Sequence, residues 1–265
     1  MTLPPASAVY PMARWSGGRA TAASRVLPEE TPIALVHDAT TTAVMMATPR
    51  DLEDFGVGFS LTEGLVGSAG EIVDLEIARS DLGIEVRMWL ARTSAAALAQ
   101  RRRRLAGPTG CGVCGLDSLE AAVRPPPTVT DEFRIRAQDV QAAMAAIEPV
   151  QALGAATHAV HAAAWWTTSG GLWAIREDVG RHNALDKLAG ARARAPSQPG
   201  VLVLTSRVSV EMVQKAAAMG AEVVAAISAP TLLAVRTADR CGVTLAAVVR
   251  DDGFEVFSHP HRITA

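Results

Sequence analysis

The chain has 265 residues, of which 49% are hydrophobic and 20% charged, and it carries a net charge of −2 at pH 7. This composition is that of a soluble globular protein and argues against a disordered chain, while the small net charge argues against a surface devoted to nucleic acid or to membranes. Three cysteines in a long chain do not form the pattern of a secreted, disulfide-stapled domain, and no apolar run is long enough for a membrane span. We therefore expect a cytoplasmic protein in which any anion site is local.

Composition divides the chain into three segments. Residues 1–26 are rich in Pro, Gly, Ala and Ser without a periodic pattern, which predicts a flexible tail. Residues 27–127 are predicted to form an N-terminal domain that ends in a cysteine-containing loop and a stiff linker of three prolines at 125–127. Residues 128–265 are predicted to form a C-terminal domain.

The N-terminal domain is predicted to be rich in β-structure. Its hydrophobic pattern indicates two pairs of strands and a helix that begins near Thr48, where Pro49 suits the first turn and the acidic residues that follow suit the positive end of the helix dipole. This helix is expected to stop near Gly64, and a second helix is predicted at 93–105. The predicted strands cover residues 31–36, 42–47, 71–77 and 84–90.

Two cysteines lie two residues apart in the loop after this second helix, where residues 109–115 have the sequence TGCGVCG. The glycines leave the sulfur atoms of Cys111 and Cys114 open to an incoming reactant, and CxxC spacing lowers the pKa of a thiol. Four arginines at 101–104 either stabilise a thiolate further, if the fold brings them near, or form a solvated helix face. The spacing alone fits half a zinc site, a dithiol redox pair or a sulfur carrier.

The C-terminal domain begins with a predicted helix at 137–147 and a hairpin whose strands cover 159–168 and 172–176. The next helix, at 181–189, has an apolar face and a polar face. The polar face would ordinarily be solvated. Here, however, it is crowded with hydrogen-bond donors, and a glycine, Gly180, directly precedes the helix. Its members are His182, Asn183, Asp186 and Lys187.

From residue 201 onward the pattern is β-α-β-α-β with short connections, followed by a hairpin that turns at 251–253. Short connections of this kind predict parallel strands covered by helices. Cys241 lies in the apolar pattern of the last helix and is predicted to be a core residue. The predicted strands cover 201–205, 223–227 and 244–249, and the helices between them cover 209–219 and 231–241.

Ligands of open α/β sheets bind at the carboxyl ends of the strands, where helix N-termini point. Two strand ends of this sequence carry hydroxyl groups, an arginine and the free N–H groups of a following helix, which together indicate a phosphate site. The alternative is a pair of ordinary helix N-caps. The residues concerned are Ser206, Arg207 and Ser209 after one strand, and Ser228, Ala229 and Thr231 after the next.

Several stretches, taken in order, resemble one family, the formate dehydrogenase accessory sulfurtransferases (FdhD). Beyond the tail, the resemblance spans nearly the whole chain and is far more specific than the CxxC pair alone. It implies an α/β fold with a cytidine deaminase-like mixed sheet and flanking helices, plus a smaller N-terminal β-rich domain with α+β character. The matching stretches are MATP at 46–49, LTEG at 61–64, CGVCG at 111–115, HAAA at 161–164, EDVGRHNA at 177–184 with DK at 186–187, SVEMV at 209–213 with Lys215, and SAPT at 228–231 with LAV at 233–235.

The resemblance implies a cytoplasmic sulfur carrier, an enzyme of the sulfurtransferase class with a cysteine persulfide intermediate. Such a carrier accepts sulfur from a cysteine desulfurase and passes it to the molybdenum of bis(molybdopterin guanine dinucleotide) before this cofactor enters the catalytic subunit of formate dehydrogenase. The persulfide maps onto Cys111, and Cys114 either assists it or resolves it to a disulfide. The resemblance also implies a homodimer, with no nucleic acid or membrane partner.

The cofactor site implied by the resemblance combines groups for pyrophosphate with a short segment for guanine. Pyrophosphate would explain the convergence of Arg181, His182, Lys187 and Arg207 on one pocket, and GDP or GMP should mimic the cofactor. No resident metal is expected. The remaining expected cofactor contacts are His161, Asn183, Ser206, Ser209, Ser228, Ala229 and Thr231, with Val248, Val249, Arg250, Asp251, Asp252 and Gly253 for the guanine dinucleotide.

The chain departs from the family pattern at two places near this pocket. His158 and Ala159 stand where two glycines are usual, and Thr205-Ser206-Arg207 stands where Ser-Gly-Arg is usual. The added bulk is expected to reshape the pocket.

Two other functions are compatible with the same residues. Cys111, Cys114, His158 and His161 could form a tetrahedral zinc site with deaminase-like hydrolase chemistry, although the HxE element that precedes the cysteines of zinc deaminases is missing. The second alternative is a chaperone that binds the molybdenum cofactor without transferring sulfur.

Overall fold

A computed structural model describes residues 3–91, 125–196 and 198–265. The predicted helix at 93–105, the arginines at 101–104 and the loop with Cys111 and Cys114 lie outside the described residues. The described chain has a mixed α/β architecture with two main sheets and flanking helices, as predicted.

Residues predicted to be a flexible tail instead form an antiparallel hairpin. Its strands are β1 (Ser7–Ser16) and β2 (Arg19–Pro28). The turn consists of Gly17 and Gly18, both with positive φ, a conformation that glycine adopts without strain. The prediction is wrong because most side chains of the hairpin are exposed and none is fully buried, so that no buried face imposes an alternating pattern.

The N-terminal sheet contains the four predicted strands, in the order β4-β3-β6-β5. Helix α1 (Leu52–Thr62) packs on one face of this sheet and contributes Phe55 and Phe59 to its core. The helix begins after the predicted Thr48, because the backbone N–H and carbonyl of Thr48 bind the side chains of Asp178 and Lys187 instead. The strands are β3 (Thr31–His37), β4 (Thr40–Ala47), β5 (Ile72–Ser80) and β6 (Gly83–Leu90).

The C-terminal sheet has six strands in the order β13-β12-β11-β10-β8-β9. The three central strands, β10 to β12, run parallel as predicted, and β8, β9 and β13 run antiparallel to their neighbours. The strands are β8 (His161–Thr167), β9 (Gly171–Asp178), β10 (Val201–Leu204), β11 (Val223–Ala226), β12 (Thr244–Arg250) and β13 (Gly253–Ser258), with a separate small pair of β7 (Ile135–Arg136) and β14 (Ile263–Thr264).

Helices cover both faces of the C-terminal sheet. Helices α4 (Arg181–Ala193), α5 (Val210–Ala218) and α6 (Leu232–Cys241) pack on one face, and α2 (Ala137–Ala145) packs on the other. The short helix α3 (Ala152–Thr157) precedes β8. Cys241 is buried in the core, as predicted.

The two halves of the molecule meet where α1 crosses α4. A Cβ atom at Gly58 would collide with the backbone of Asp186 and Gly190, and one at Gly190 would collide with the backbone of Asp54 and Gly58. The absence of both side chains therefore allows the two helices to touch backbone to backbone. This close contact fixes the middle of α4 against α1.

None of the helices in the described ranges combines the length and the apolar character needed to cross a lipid bilayer.

Candidate functional site

The residues predicted to bind the cofactor lie mainly along one edge of the C-terminal sheet. Because β8 runs antiparallel to β10, its first residue, His161, lies beside the carboxyl end of β10 and pairs with Asp178 at the end of β9. The loops that follow β10 and β11 touch through a parallel bridge between Val208 and Pro230. Arg250 Nη1 donates to the carbonyl oxygen of Ile227 at 2.6 Å, so the end of β12 lies at this edge as well.

Positive charge and neutral imidazoles gather at this edge. Burial lowers the pKa of His182 to about 4, with further contributions from the charges of Arg181 and Lys215. Burial also lowers the pKa of His161, helped by the charges of Arg181 and Arg207. Both histidines are therefore neutral at pH 7. The Arg207 side chain is exposed.

Three polar atoms at this edge are buried but have no hydrogen-bond partner among the described residues: Arg181 Nε, His182 Nε2 and Ser209 Oγ. His182 Nε2 lies 4.0 Å from the carboxylate of Glu211, beyond hydrogen-bond distance. Buried polar atoms are nearly always paired in native proteins. These three unpaired atoms, one of them on Arg181, together with Arg207 match a ligand that offers several acceptor oxygens, as phosphate and pyrophosphate do.

The hydroxyl groups at the N-termini of α5 and α6 differ in whether they are available to bind a ligand. Thr231 Oγ1 accepts a hydrogen bond from Ala234 N at 3.2 Å and is an ordinary N-cap of α6. Ser209 occupies the N-cap position of α5, but its side chain makes no capping bond. Ser206 is buried and donates to the carbonyl oxygen of Arg207 at 3.0 Å. Ser228 is half-buried and Ala229 is exposed.

Asn183 and Lys187, which were expected to contact the cofactor, are instead buried in a polar network around Asp178. Lys187 Nζ donates to Asp178 Oδ2 at 2.6 Å and to the carbonyl oxygen of Thr48 at 2.8 Å, and Asn183 Nδ2 donates to Asp178 Oδ1 at 3.0 Å. Burial lowers the pKa of Lys187, although the charge of Asp178 opposes this shift. Asn183 and Lys187 are thus buried between Asp178, at the end of β9, and the backbone of Met46 and Thr48 in the N-terminal part of the chain.

A second buried network joins the same two halves of the molecule. Lys215 Nζ donates to both carboxylate oxygens of Asp186, at 2.9 and 3.0 Å, and to Glu63 Oε1 at 2.8 Å. Thr62 Oγ1 donates to Asp186 Oδ1 at 2.6 Å. Burial raises the pKa of Asp186. Burial alone would lower the pKa of Lys215, but the charges of Asp186 and Glu63 outweigh it and raise that pKa.

Sequence reasoning missed the role of both networks. The sequence pattern places Asp186 on a helix face that is either solvated or ligand-binding, and it shows Asp178 and Lys215 only within the stretches that resemble the family. Thr62 and Lys215 are 153 residues apart in the chain, and Thr48 and Lys187 are 139 apart. A local pattern carries no signal for partners at such separations.

The segment expected to hold guanine covers the irregular end of β12 and the turn into β13, at the same edge. Val248 has φ of +54°, and the register of β12 against β13 shifts between Ala247 and Arg250. A β-branched residue in this conformation is strained. The turn is held by Gln141, whose Nε2 donates to the carbonyl oxygens of Arg250 and Asp251 at 3.0 and 2.7 Å. Asp251 and Asp252 are exposed.

The first departure from the family pattern has a structural consequence. His158 ends α3 in the left-handed region, with φ of +54°, which explains why glycine suits this position. Histidine tolerates this region better than most residues do. The His158 side chain is exposed.

The residues of the possible zinc site lie partly outside the described ranges, since Cys111 and Cys114 are not among them. Within the described ranges, no three His, Cys, Asp or Glu side chains come together closely enough to hold a metal ion.

Comparison with known proteins agrees with the resemblance read from the sequence. Residues 28–264 match the model of the FdhD/NarQ family. The chain is 49% identical over 249 residues to the sulfur carrier protein FdhD of Agrobacterium fabrum, which covers 93% of this chain and 92% of the relative. It is 46% identical over 262 residues to the sulfur carrier protein FdhD of Cupriavidus necator, with 98% and 91% covered.

A solved structure shares the fold. The crystal structure of a candidate formate dehydrogenase accessory protein from Desulfotalea psychrophila superposes with a TM-score of 0.76 at 25% identity, over 98% of this chain and 100% of that one. The family match covers nearly the whole chain, and the two relatives exceed 45% identity over more than nine tenths of it. The chain therefore belongs to the FdhD/NarQ family.

Proposed function

We propose that this protein is a sulfur carrier required for the activity of formate dehydrogenase. The observation that carries the proposal is the set of unpaired buried atoms, Arg181 Nε, His182 Nε2 and Ser209 Oγ, beside the exposed Arg207. This arrangement suits the pyrophosphate of a nucleotide-bearing cofactor. The relatives named sulfur carrier protein FdhD support sulfur transfer as the activity.

The first chemical step loads sulfur onto Cys111. The Cys111 thiolate attacks the outer sulfur of a persulfide on a cysteine desulfurase, a new S–S bond forms on Cys111, and the desulfurase cysteine leaves as a thiolate. This step is a thiol exchange without net oxidation, and it is fast when the attacking thiol is ionised and open. The glycines on both sides of Cys111 provide that access.

The second step delivers the outer sulfur to the molybdenum of bis(molybdopterin guanine dinucleotide), which acts here as a substrate. Delivery as sulfide requires two electrons. They come either from the Cys114 thiolate, which attacks the Cys111 sulfur and leaves a Cys111–Cys114 disulfide, or from the molybdenum, which is then oxidised by two electrons. Cys114→Ala distinguishes the two sources of electrons, because it prevents formation of the disulfide but leaves oxidation of the molybdenum possible.

Side chains at the sheet edge would hold and orient the cofactor. Arg181 and Arg207 would bind the pyrophosphate oxygens, and the neutral imidazoles of His161 and His182 would add hydrogen bonds without adding charge. The segment at residues 248–253, from the end of β12 to the start of β13, would contact the guanine. GDP and GMP are expected to occupy the same site. The loaded cofactor would then pass to the catalytic subunit of formate dehydrogenase in the cytoplasm.

Mass spectrometry after incubation with a cysteine desulfurase and cysteine tests the loading step. We expect one added sulfur atom on the peptide that contains Cys111, and none on that peptide in Cys111→Ala. The matched control is Cys241→Ala, which removes a buried thiol and should leave loading unchanged.

Activation of formate dehydrogenase tests whether this sulfur is used. Cys111→Ala should abolish activation and retain GDP binding, because the nucleotide site lies on other residues. A Cys111→Ala protein that activates the dehydrogenase normally would show that the protein acts as a cofactor chaperone without sulfur transfer. One tightly bound zinc ion per purified chain would favour the deaminase-like alternative.

A further inference from the structure

Asp178 is a buried carboxylate at the end of β9, close to three of the candidate ligand groups. It pairs with His161 in the register of β8 and β9, so the two side chains extend from the same face of the sheet. Only Val179 and Gly180 separate it from Arg181 and His182 along the chain. Because Asp178 is inaccessible to solvent, any effect that it has on a ligand must pass through its neighbours.

Both oxygen atoms of Asp178 accept two hydrogen bonds. Oδ1 accepts from Gly180 N at 2.8 Å and from Asn183 Nδ2 at 3.0 Å. Oδ2 accepts from Thr48 N at 3.0 Å and from Lys187 Nζ at 2.6 Å. Two hydrogen bonds on each oxygen use the main acceptor capacity of a carboxylate, so the Asp178 side chain is held in one orientation.

The two donors on Oδ1 belong to the start of α4, on either side of Arg181 and His182. Gly180 occupies the N-cap position of α4, and Asn183 lies in its first turn. One carboxylate oxygen therefore fixes the helix start both before and after the two candidate ligands.

Lys187 compensates the charge of this carboxylate. A lone buried carboxylate near the site would repel the phosphate oxygens of a ligand, and its burial would be unfavourable. The Lys187 ammonium, which is inaccessible to solvent, lies 2.6 Å from Asp178 Oδ2. The neutral pair can therefore hold the start of α4 without opposing an anionic ligand.

The same network fills the space around Gly180. An added Cβ at Gly180 would lie 2.7 Å from Asn183 Nδ2 and 3.4 Å from Asp178 Oδ1. The backbone of Gly180 has φ of −100° and ψ of 122°, a conformation that alanine adopts without strain. A methyl group at this position would therefore push the Asn183 amide away from Asp178 without changing any charge.

We propose that Asp178 is a positioning residue of the nucleotide site, which acts through Gly180 and Asn183 to hold Arg181 and His182 at the sheet edge. This inference rests on the proposed function, since it takes the ligand to be the phosphates of a nucleotide. Arg181 Nε and His182 Nε2 have no hydrogen-bond partner among the described residues, so their placement depends on the helix start that carries them. A binding group that is already held in place loses little conformational freedom when the ligand binds, and the affinity is higher as a result.

Titration calorimetry of the full chain with GDP tests the inference. Asp178→Asn leaves one oxygen, and the charged Lys187 competes for it more strongly than neutral donors do, so Gly180 and Asn183 lose their acceptor. The affinity for GDP should fall at least about tenfold, because a displaced Arg181 loses a charged hydrogen bond to phosphate. Gly180→Ala, which keeps the ion pair intact, should also weaken GDP binding severalfold.

Glu222→Gln is the matched control. Glu222 is also a buried carboxylate that accepts four hydrogen bonds, from Thr130 Oγ1, Glu132 N, Phe133 N and Arg262 Nε. It directly precedes β11 and therefore lies at the opposite edge of the sheet from the site. The variant should lose stability, yet it should bind GDP as the wild type does.

Guanosine separates positioning from a general loss of stability. It carries the base and ribose of GDP but no phosphate, so Asp178→Asn should leave the affinity for guanosine unchanged. Partial unfolding would instead weaken the binding of both ligands to the same degree. Circular dichroism of each variant establishes that it is folded, and Gly180→Ala carries the test if Asp178→Asn does not fold.

Three results would overturn the assignment of Asp178. Asp178→Asn and Gly180→Ala could bind GDP as tightly as the wild type, Glu222→Gln could lose as much affinity as Asp178→Asn, or guanosine binding could weaken as much as GDP binding. A wild-type chain that binds no GDP would be a different failure, since it would remove the nucleotide site on which both the proposed function and this inference rest.

Discussion

At the scale of single residues, the candidate site is defined by what its side chains lack. Arg181 Nε, His182 Nε2 and Ser209 Oγ are buried without partners among the described residues, whereas Thr231 is satisfied as a helix cap. The Thr231 hydroxyl is therefore occupied as a helix cap, whereas the Ser209 hydroxyl is available to bind a ligand. The exposed Arg207 lies at the same edge and completes the set of candidate phosphate ligands.

Removal of Arg207 should weaken nucleotide binding without affecting the fold. Hydrogen bonds to charged groups contribute about 1.5–3 kcal/mol, so Arg207→Ala should weaken the binding of GDP by about tenfold or more in titration calorimetry. Arg236→Ala, on the exposed side of α6, is the matched control and should bind GDP as the wild type does. Equal affinity of both variants would remove Arg207 from the site.

The buried imidazole of His182 should make the protein less stable in acid. Its pKa is about 4 in the folded chain, against 6.5 in the unfolded chain, so between these values the unfolded chain binds more protons. The free energy of unfolding should therefore fall as the pH is lowered through this range, by up to about 3 kcal/mol. His161 contributes in the same direction.

Urea denaturation across this pH range checks this expectation, with His182→Gln as the comparison. The variant keeps a polar side chain but has no proton to gain, so its stability should depend less on pH than that of the wild type. Identical slopes for the two proteins would contradict the assignment of this pH dependence to His182.

At the scale of elements, the sequence predicted the regular structure well. The four strands of the N-terminal sheet lie within a few residues of their predicted bounds. The same is true of the parallel strands β10 to β12 and of the helices α5 and α6 between them. Hydrophobic periodicity over a short window determines such elements. The sequence does not predict the hairpin at 7–28, because both of its faces are largely exposed. The predicted helix start at Thr48 is wrong because distant residues bind the Thr48 backbone.

The crossing of α1 and α4 should not tolerate a methyl group. Gly58→Ala places a Cβ against the backbone of α4, and forcing two packed helices apart should lower the free energy of unfolding by at least about 2 kcal/mol. Gly190→Ala should act in the same way. Gly70→Ala is the control, because it is exposed and its Cβ would lie 3.9 Å from Ser68 Oγ. A fully stable Gly58→Ala protein would show that the helices can separate freely.

At the scale of the whole molecule, one helix crossing and the hydrogen bonds made by two buried ion pairs join the N-terminal part of the chain to the C-terminal part. Asp178 with Lys187 and Asp186 with Lys215 are nearly inaccessible to solvent. Lys187 also binds the carbonyl of Thr48, and Lys215 also binds Glu63. Charges buried in this way are stable only while both halves remain in place. The two halves should therefore unfold together.

Native-state hydrogen exchange tests this cooperativity. The amides of β3 and β6 should open with the same free energy as those of β10 and β11. Asp178→Asn leaves Lys187 without its counter-charge and should lower both values by about 3 kcal/mol. Asp139→Asn breaks an exposed pair with Arg136 and should change them by less than about 1 kcal/mol. Separate opening of the two sheets would contradict this account.

By itself, the sequence determined the type and order of most elements, the glycine-flanked position of Cys111, and the strand ends at which Ser209, Arg207 and Thr231 lie. Each of these depends on neighbours within a few residues. Only the tertiary structure decided that Lys187 and Asn183 are buried against the N-terminal domain, that the donors of Arg181 and His182 lack partners, and that most side chains of the β1–β2 hairpin are exposed. These properties arise from contacts between residues far apart in the chain, and burial, which governs their chemistry, exists only once the chain has folded.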